Sequence, residues 1–186
     1  KTNTVLKTLD LYDSLENKNV GKLLKSLELN NTLTELKMEN IHLSKLRSNF
    51  KVMLSKNKSL KHLIFMSSPL EDEIGVGIGE GLQENITLDK LILTGNNFKE
   101  KAFEAISEGL RHNDHVKTLI LKKKKDLDLW HGIYHLAEGL QDNSSLQHLS
   151  LEGNPVGLNI NEDKIASSSL QMEEGIAQTD SIQRRI

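Results

Sequence analysis

Leu88-Asp89-Lys90-Leu91-Ile92-Leu93-Thr94-Gly95-Asn96-Asn97-Phe98 is the stretch that decides the fold. Its leucines stand at the first, fourth and sixth places, and the same L-x-x-L-x-L spacing occurs six times in phase. The other members are Leu6-Leu9-Leu11, Leu33-Leu36-Met38, Leu60-Leu63-Phe65, Val116-Leu119-Leu121 and Leu146-Leu149-Leu151. Successive starts are 27, 27, 28, 28 and 30 residues apart, a period that marks a stacked repeat rather than one large core.

A second block keeps the same phase. An apolar residue lies six places before each start and an asparagine three before it: Leu27/Asn30, Leu54/Asn57, Leu82/Asn85, Leu110/Asn113 and Leu140/Asn143, with Asn3 beginning the series. Leu23, Phe50, Ile78, Ile106 and Leu136 stand four residues before these apolar positions and share one helical face with them, as does Met172 before Ile176. Each unit therefore reads as strand, loop and helix. Asparagine at the helix end is expected to take the left-handed conformation that closes a helix. A seventh unit starts at Ile182, 36 residues on, with Arg185 where leucine belongs; residues 159–186 read as an extended loop, a final helix and a degenerate repeat.

This unit resembles the ribonuclease-inhibitor type of leucine-rich repeat, L-x-x-L-x-L-x-x-N-x-L followed by a helix ending G-L-x-x-N, over about residues 3 to 158. The resemblance implies an α/β leucine-rich repeat solenoid: a curved horseshoe segment with parallel strands on the concave face and helices on the convex face. The six repeats occupy residues 1–158 of a single solenoid domain, with strand starts near Leu6, Leu33, Leu60, Leu88, Val116 and Leu146. It also implies a ladder of hydrogen bonds at the ninth-position asparagine. That residue is present as Asn96 and Asn154 but replaced by Ser14, Ile41, Ser68 and Lys124, whose turns are expected to be less regular.

Strands stack ~4.8 Å apart and helices pack at ~8–10 Å, so the helix side forms the longer arc. The phase then names the side chains of the concave face. Third-position residues are Thr8, Glu35, His62, Lys90, Thr118 and His148. Fifth-position residues are Asp10, Lys37, Ile64, Ile92, Ile120 and Ser150; seventh-position residues are Tyr12, Glu39, Met66, Thr94, Lys122 and Glu152. Three successive isoleucines with Met66 beside them are expected to form an exposed apolar strip, the kind of surface that marks an interaction site. The expected partner-binding residues are Tyr12, Lys37, His62, Ile64, Met66, Lys90, Ile92, Ile120, Lys122 and His148.

The charge balance is 24 Lys+Arg against 26 Asp+Glu, so no global field recruits nucleic acid or an anionic membrane. Any anion binding has to be local, and Lys122-Lys123-Lys124-Lys125 after the fifth strand is the candidate for it. The absence of cysteine excludes disulfides and thiolate metal sites within the sequence and fits a reducing, intracellular compartment, the cytoplasm. No apolar run reaches the ~18–20 residues of a membrane span. The array starts mid-helix and ends in a degraded unit, so flanking domains or further repeats of a longer chain are expected to cover its ends.

Other motifs read as structural. His131-Gly-Ile-Tyr-His135 lacks the glutamate of H-E-x-x-H, and with Ile133, Leu136 and Leu140 facing the core both imidazoles point outward; no metal site is expected. Gly75-Val-Gly77-Ile-Gly79-Glu-Gly81 fails G-x-G-x-x-G and falls inside the third helix, where each glycine costs ~1 kcal/mol relative to alanine, predicting the softest helix of the array and faster amide exchange than in the fourth unit. Four N-x-S/T sequons at Asn30, Asn57, Asn85 and Asn143 share one repeat position, which a structural asparagine explains without sugars. No triad, carboxylate pair or phosphate loop stands out, so neither catalysis nor a cofactor is expected. The resemblance implies a protein-binding module or scaffold, as in intracellular immune receptors and cytoskeletal regulators. Two alternatives are a small-GTPase regulator similar to the Ran GTPase-activating proteins and an architectural subunit of a large assembly.

Overall fold

A computed structural model describes residues 3–13, 16–123 and 130–152. The reading of residues 159–186 as a loop, helix and seventh repeat lies outside them, as do Ser14, Lys124, Lys125 and Asn154. Strands and helices alternate: β1 (Thr8–Tyr12), α1 (Asn17–Leu27), β2 (Glu35–Glu39), α2 (Arg47–Lys56), β3 (His62–Met66), α3 (Asp72–Leu82), β4 (Lys90–Asn96), α4 (Glu100–Arg111), β5 (Thr118–Lys123), α5 (Trp130–Gln141) and β6 (His148–Ser150). The strands form one open parallel sheet in chain order, β1-β2-β3-β4-β5-β6, and the helices line the opposite, convex side. This is the leucine-rich repeat solenoid that the period implies.

The first, fourth and sixth positions fill the space between sheet and helices. Leu60, Leu63 and Phe65 of the third unit and Leu88, Leu91 and Leu93 of the fourth are essentially inaccessible, and Phe50 of α2 meets Phe65 edge-on at 5.7 Å. Toward the first unit the same positions open: Leu9 and Leu11 are half-buried and Leu6 is exposed. Burial depends on having a unit on each side, as a one-dimensional stack requires.

The conserved phase of asparagine has a different cause from helix closure in the left-handed region. Asn57 has φ −68° and ψ 133°, an extended conformation, and its side chain is what the position uses. Its Oδ1 accepts the backbone N–H groups of Ser59 (2.9 Å) and Leu60 (2.7 Å), and its Nδ2 donates to the carbonyls of Leu27 (2.6 Å) and Asn30 (3.0 Å) in the preceding unit. Asn113 repeats all four bonds, to His115, Val116, Leu82 and Asn85, and Asn143 to Ser145, Leu146, Leu110 and Asn113. Asn85 binds Thr87, Leu88 and Leu54, while Asn3 and Asn30 make the acceptor half. From Asn57 onward each side chain thus starts one strand and ties it to the helix end of the unit before.

The same geometry explains the sequons. The hydroxyl two residues on also reaches back one unit: Ser59 Oγ donates to Leu33 O at 2.9 Å and Ser145 Oγ to Val116 O at 3.1 Å. Asn57 and Asn85 are buried with Nδ2 already engaged, so a glycan on either is incompatible with this fold.

Left-handed backbone occurs instead at the eighth position, just after the strand in the first three units and within the longer β4 in the fourth. Asp13, Asn40, Ser67 and Gly95 have φ of 53°, 55°, 50° and 73°. The turns are therefore regular in the second and third units, although these lack the ninth-position asparagine, contrary to expectation. Ser68 at the ninth position accepts from Ile41 N (3.2 Å) and donates to Met66 O (3.0 Å). Asn96 is buried, and neither polar atom of its side chain has a hydrogen-bond partner. The expected asparagine ladder is therefore not made by Asn96, the ninth-position asparagine among the described residues; Ser68 makes one rung, and the helix-end asparagines carry most of that role.

The glycines of α3 serve close packing. A Cβ built on Gly75 or Gly79 would run into Ala102 or Ala105 of α4; one on Gly77 or Gly81 would meet Arg47 or Leu54 of α2, in every case inside the 3.0 Å that real Cβ atoms keep. Two pairs spaced i, i+4 therefore flatten two faces of one helix, each against a neighbour. Helix propensity predicts a soft element; tight packing on both sides supplies the opposing effect, and we expect α3 amides to exchange at least as slowly as those of α4. Faster exchange in α3 would show that propensity wins.

On the convex surface Arg47 donates to Glu80 at 2.5 Å and Lys51 lies 3.7 Å from it, linking α2 to α3. The hydrogen bond from Arg47 holds the Glu80 carboxyl below the usual glutamate range. A depressed carboxyl contributes stability above its unfolded pKa and loses it as pH falls through the folded value. Glu80→Gln is thus expected to cost a little at neutral pH, with the difference from wild type shrinking in acid; urea midpoints across pH read this.

Candidate partner interface

Alternation along each strand sends the third, fifth and seventh positions out of the sheet. In-register pairing then aligns them in rows across the strands. One row is Thr8, Glu35, His62, Lys90, Thr118 and His148; the next is Asp10, Lys37, Ile64, Ile92, Ile120 and Ser150. The third runs Tyr12, Glu39, Met66, Thr94 and Lys122. All ten residues singled out from the sequence stand on this one concave surface.

Ile64, Ile92 and Ile120 are direct neighbours on β3, β4 and β5. They are half-buried rather than fully exposed, because branched side chains ~4.8 Å apart shield one another's flanks. Their tips form a continuous apolar ridge, and Met66, 37% exposed, extends it on the seventh row.

Ion pairs frame the ridge. On one side Glu35 Oε2 lies 2.8 Å from His62 Nδ1, and Lys37 binds Glu39 at 2.9 Å while lying over the Tyr12 ring, 5.2 Å from its centroid. The hydrogen bonds to Glu39 and Tyr12 raise the Lys37 pKa above the ordinary lysine value. On the other side Lys122 pairs with Glu152, whose carboxyl it holds below the usual range. Lys90 differs: among the described residues its ammonium has neither an ion pair nor a hydrogen bond. The sequence missed these pairings. The signal was there, since Glu35 and His62 hold the same place in consecutive units.

The other candidates are not assembled into a site. The Lys123 side chain, Lys124 and Lys125 lie outside the described residues, as does the His131 side chain. His135 stands 3.6 Å from both Glu100 and Glu138, and the described residues include no group of three or more His, Cys, Asp or Glu able to hold a metal. No described helix is long and apolar enough to cross a membrane.

Known structures share this architecture. The leiomodin-1 actin-binding site 2 superposes with a TM-score of 0.53 at 14% identity, covering 96% of this chain and 86% of that one. The tropomodulin C-terminal domain of Caenorhabditis elegans gives 0.58 at 11% identity, covering 92% and 98%. The fold is a leucine-rich repeat one. No family model and no curated protein matches the sequence. At these identities the likeness is one of fold, and the side chains of the concave face are this chain's own.

Proposed function

We propose that this chain is a non-catalytic protein-recognition module of the long, ribonuclease-inhibitor-like repeat type, docking a partner on its concave face inside the cell. The observation that carries the reading is the in-register row Ile64, Ile92 and Ile120 with exposed Met66 beside it. Apolar side chains held on an ordered sheet are ready to be covered without further ordering, which lowers the entropic cost of binding. The charged pairs around them form a polar rim of the kind that surrounds an interface centre.

Actin is the first partner to test, because the fold is shared with a domain named for binding it. Co-sedimentation with filaments and fluorescence titration with monomers, using wild type and Ile92→Asp, separate the outcomes. The expected result is binding by wild type, weakened at least ~10-fold by Ile92→Asp, since the apolar anchor at the centre of the contact is lost and a charged group takes its place. Binding indifferent to Ile92→Asp would remove the ridge from the account; no binding by wild type would remove actin.

A further inference from the structure

We propose that the concave face selects a protein segment carrying a carboxylate beside its apolar anchor, and that Lys90 is the residue that reads it. This rests on the concave-face reading above and names the chemistry of the occupant. Lys37, Lys90 and Lys122 are the lysines of the three rows. Two are already neutralised, Lys37 by Glu39 and Lys122 by Glu152, whereas Lys90 has no counter-ion among the described residues. Its row neighbours offer none: the His62 ring is engaged by Glu35, and Thr118 is uncharged. Asp89, next in sequence, pairs with Lys117 at 3.4 Å.

Lys90 and Ile92 lie two residues apart on the same face of β4, ~6–7 Å along the strand. A segment covering Ile92 therefore removes water from around Lys90, itself half-buried, as well. Unless the occupant brings an anion, that desolvation opposes binding; if it does, the pair forms in a water-poor setting and also sets orientation. Carboxylate and anchor at this separation occur on neighbouring positions of one helix face or at alternate residues of a strand.

A random 12-residue peptide library displayed on phage and selected on wild type, Lys90→Gln and Lys90→Glu tests this, with far-UV circular dichroism confirming that each variant is folded. Wild type is expected to enrich peptides holding Asp or Glu near an apolar residue at least ~3-fold over the input library. Lys90→Gln should lose the acidic preference while keeping the apolar one, and Lys90→Glu should turn it to Lys or Arg. Acidic enrichment unchanged in Lys90→Gln, or no acidic preference on wild type, overturns the role of Lys90. Binders that survive Ile92→Asp, or no binders at all, overturn the concave-face reading itself.

Discussion

Asn113→Ala is expected to lower the unfolding free energy by about 4 kcal/mol, read as a shift in urea midpoint at constant slope. The side chain is 2% exposed and makes four hydrogen bonds to backbone groups of two consecutive units. Removing it strands the buried Val116 N–H and the Asn85 carbonyl, frees the part-buried His115 N–H and leaves the Leu82 carbonyl with the Asn85 N–H alone; each buried orphan costs about 1–3 kcal/mol before relaxation. Asn113 has less support than its counterparts: His115 stands where Ser59 and Ser145 supply an extra hydroxyl link. Asn113→Asp sharpens the test. A carboxylate keeps the acceptor half but turns a negative charge toward two carbonyl oxygens, so its folded pKa must rise. A group with a raised folded pKa favours the native state below its unfolded value and loses that contribution as pH climbs. The variant should therefore be nearer wild type at pH 4 than at pH 7. Equal damage at both would mean that the donated bonds matter little.

Gly79→Ala is expected to destabilise by about 3 kcal/mol, although alanine is the better helix former by about 1 kcal/mol. The new methyl would overlap the carbonyl and the adjoining peptide of Ala105, backbone atoms that cannot rotate aside, so α3 and α4 must separate. Because that contact continues to Gly109, whose own Cβ would strike the Gly79 carbonyl, the damage should spread into α4 and appear there as faster amide exchange. Gly21→Ala provides the contrast. Its nearest neighbour is the end of the Leu46 side chain at 3.3 Å, which has room to give, and the gain in propensity should leave that variant neutral or slightly stabilised. A stable Gly79→Ala would show that the helices are not held as closely as described.

The sequence was most legible where periodicity and geometry are the same fact. Leucines in phase over six units dictate parallel strands in register, and register alone places Ile64, Ile92 and Ile120 side by side. It was less legible where one residue type serves two mechanisms. Asparagine at a helix end can adopt left-handed backbone or bond through its side chain, and the phase cannot separate these. The hydroxyl two residues later, read only as a sequon, was the distinguishing signal. Glycine in α3 is similar: propensity counts its flexibility, while neighbours one unit away decide its use. The left-handed eighth position escaped notice because Asp13, Asn40, Ser67 and Gly95 share a conformation but not an identity. Within the candidate interface the members were readable, but the lack of a counter-ion for Lys90 among the described residues was not, since it emerges only after every other lysine of the rows has found a partner.

Isoleucine methyl spectra of this chain titrated with monomeric actin report whether a partner covers the concave face. Ile86 is an internal reference, exposed in the turn between α3 and β4 and away from the ridge. The methyls of Ile64, Ile92 and Ile120 are expected to shift together and saturate at one concentration while Ile86 stays in place. Ridge methyls that remain still at saturation while Ile86 or the helix-side isoleucines move would contradict concave-face docking.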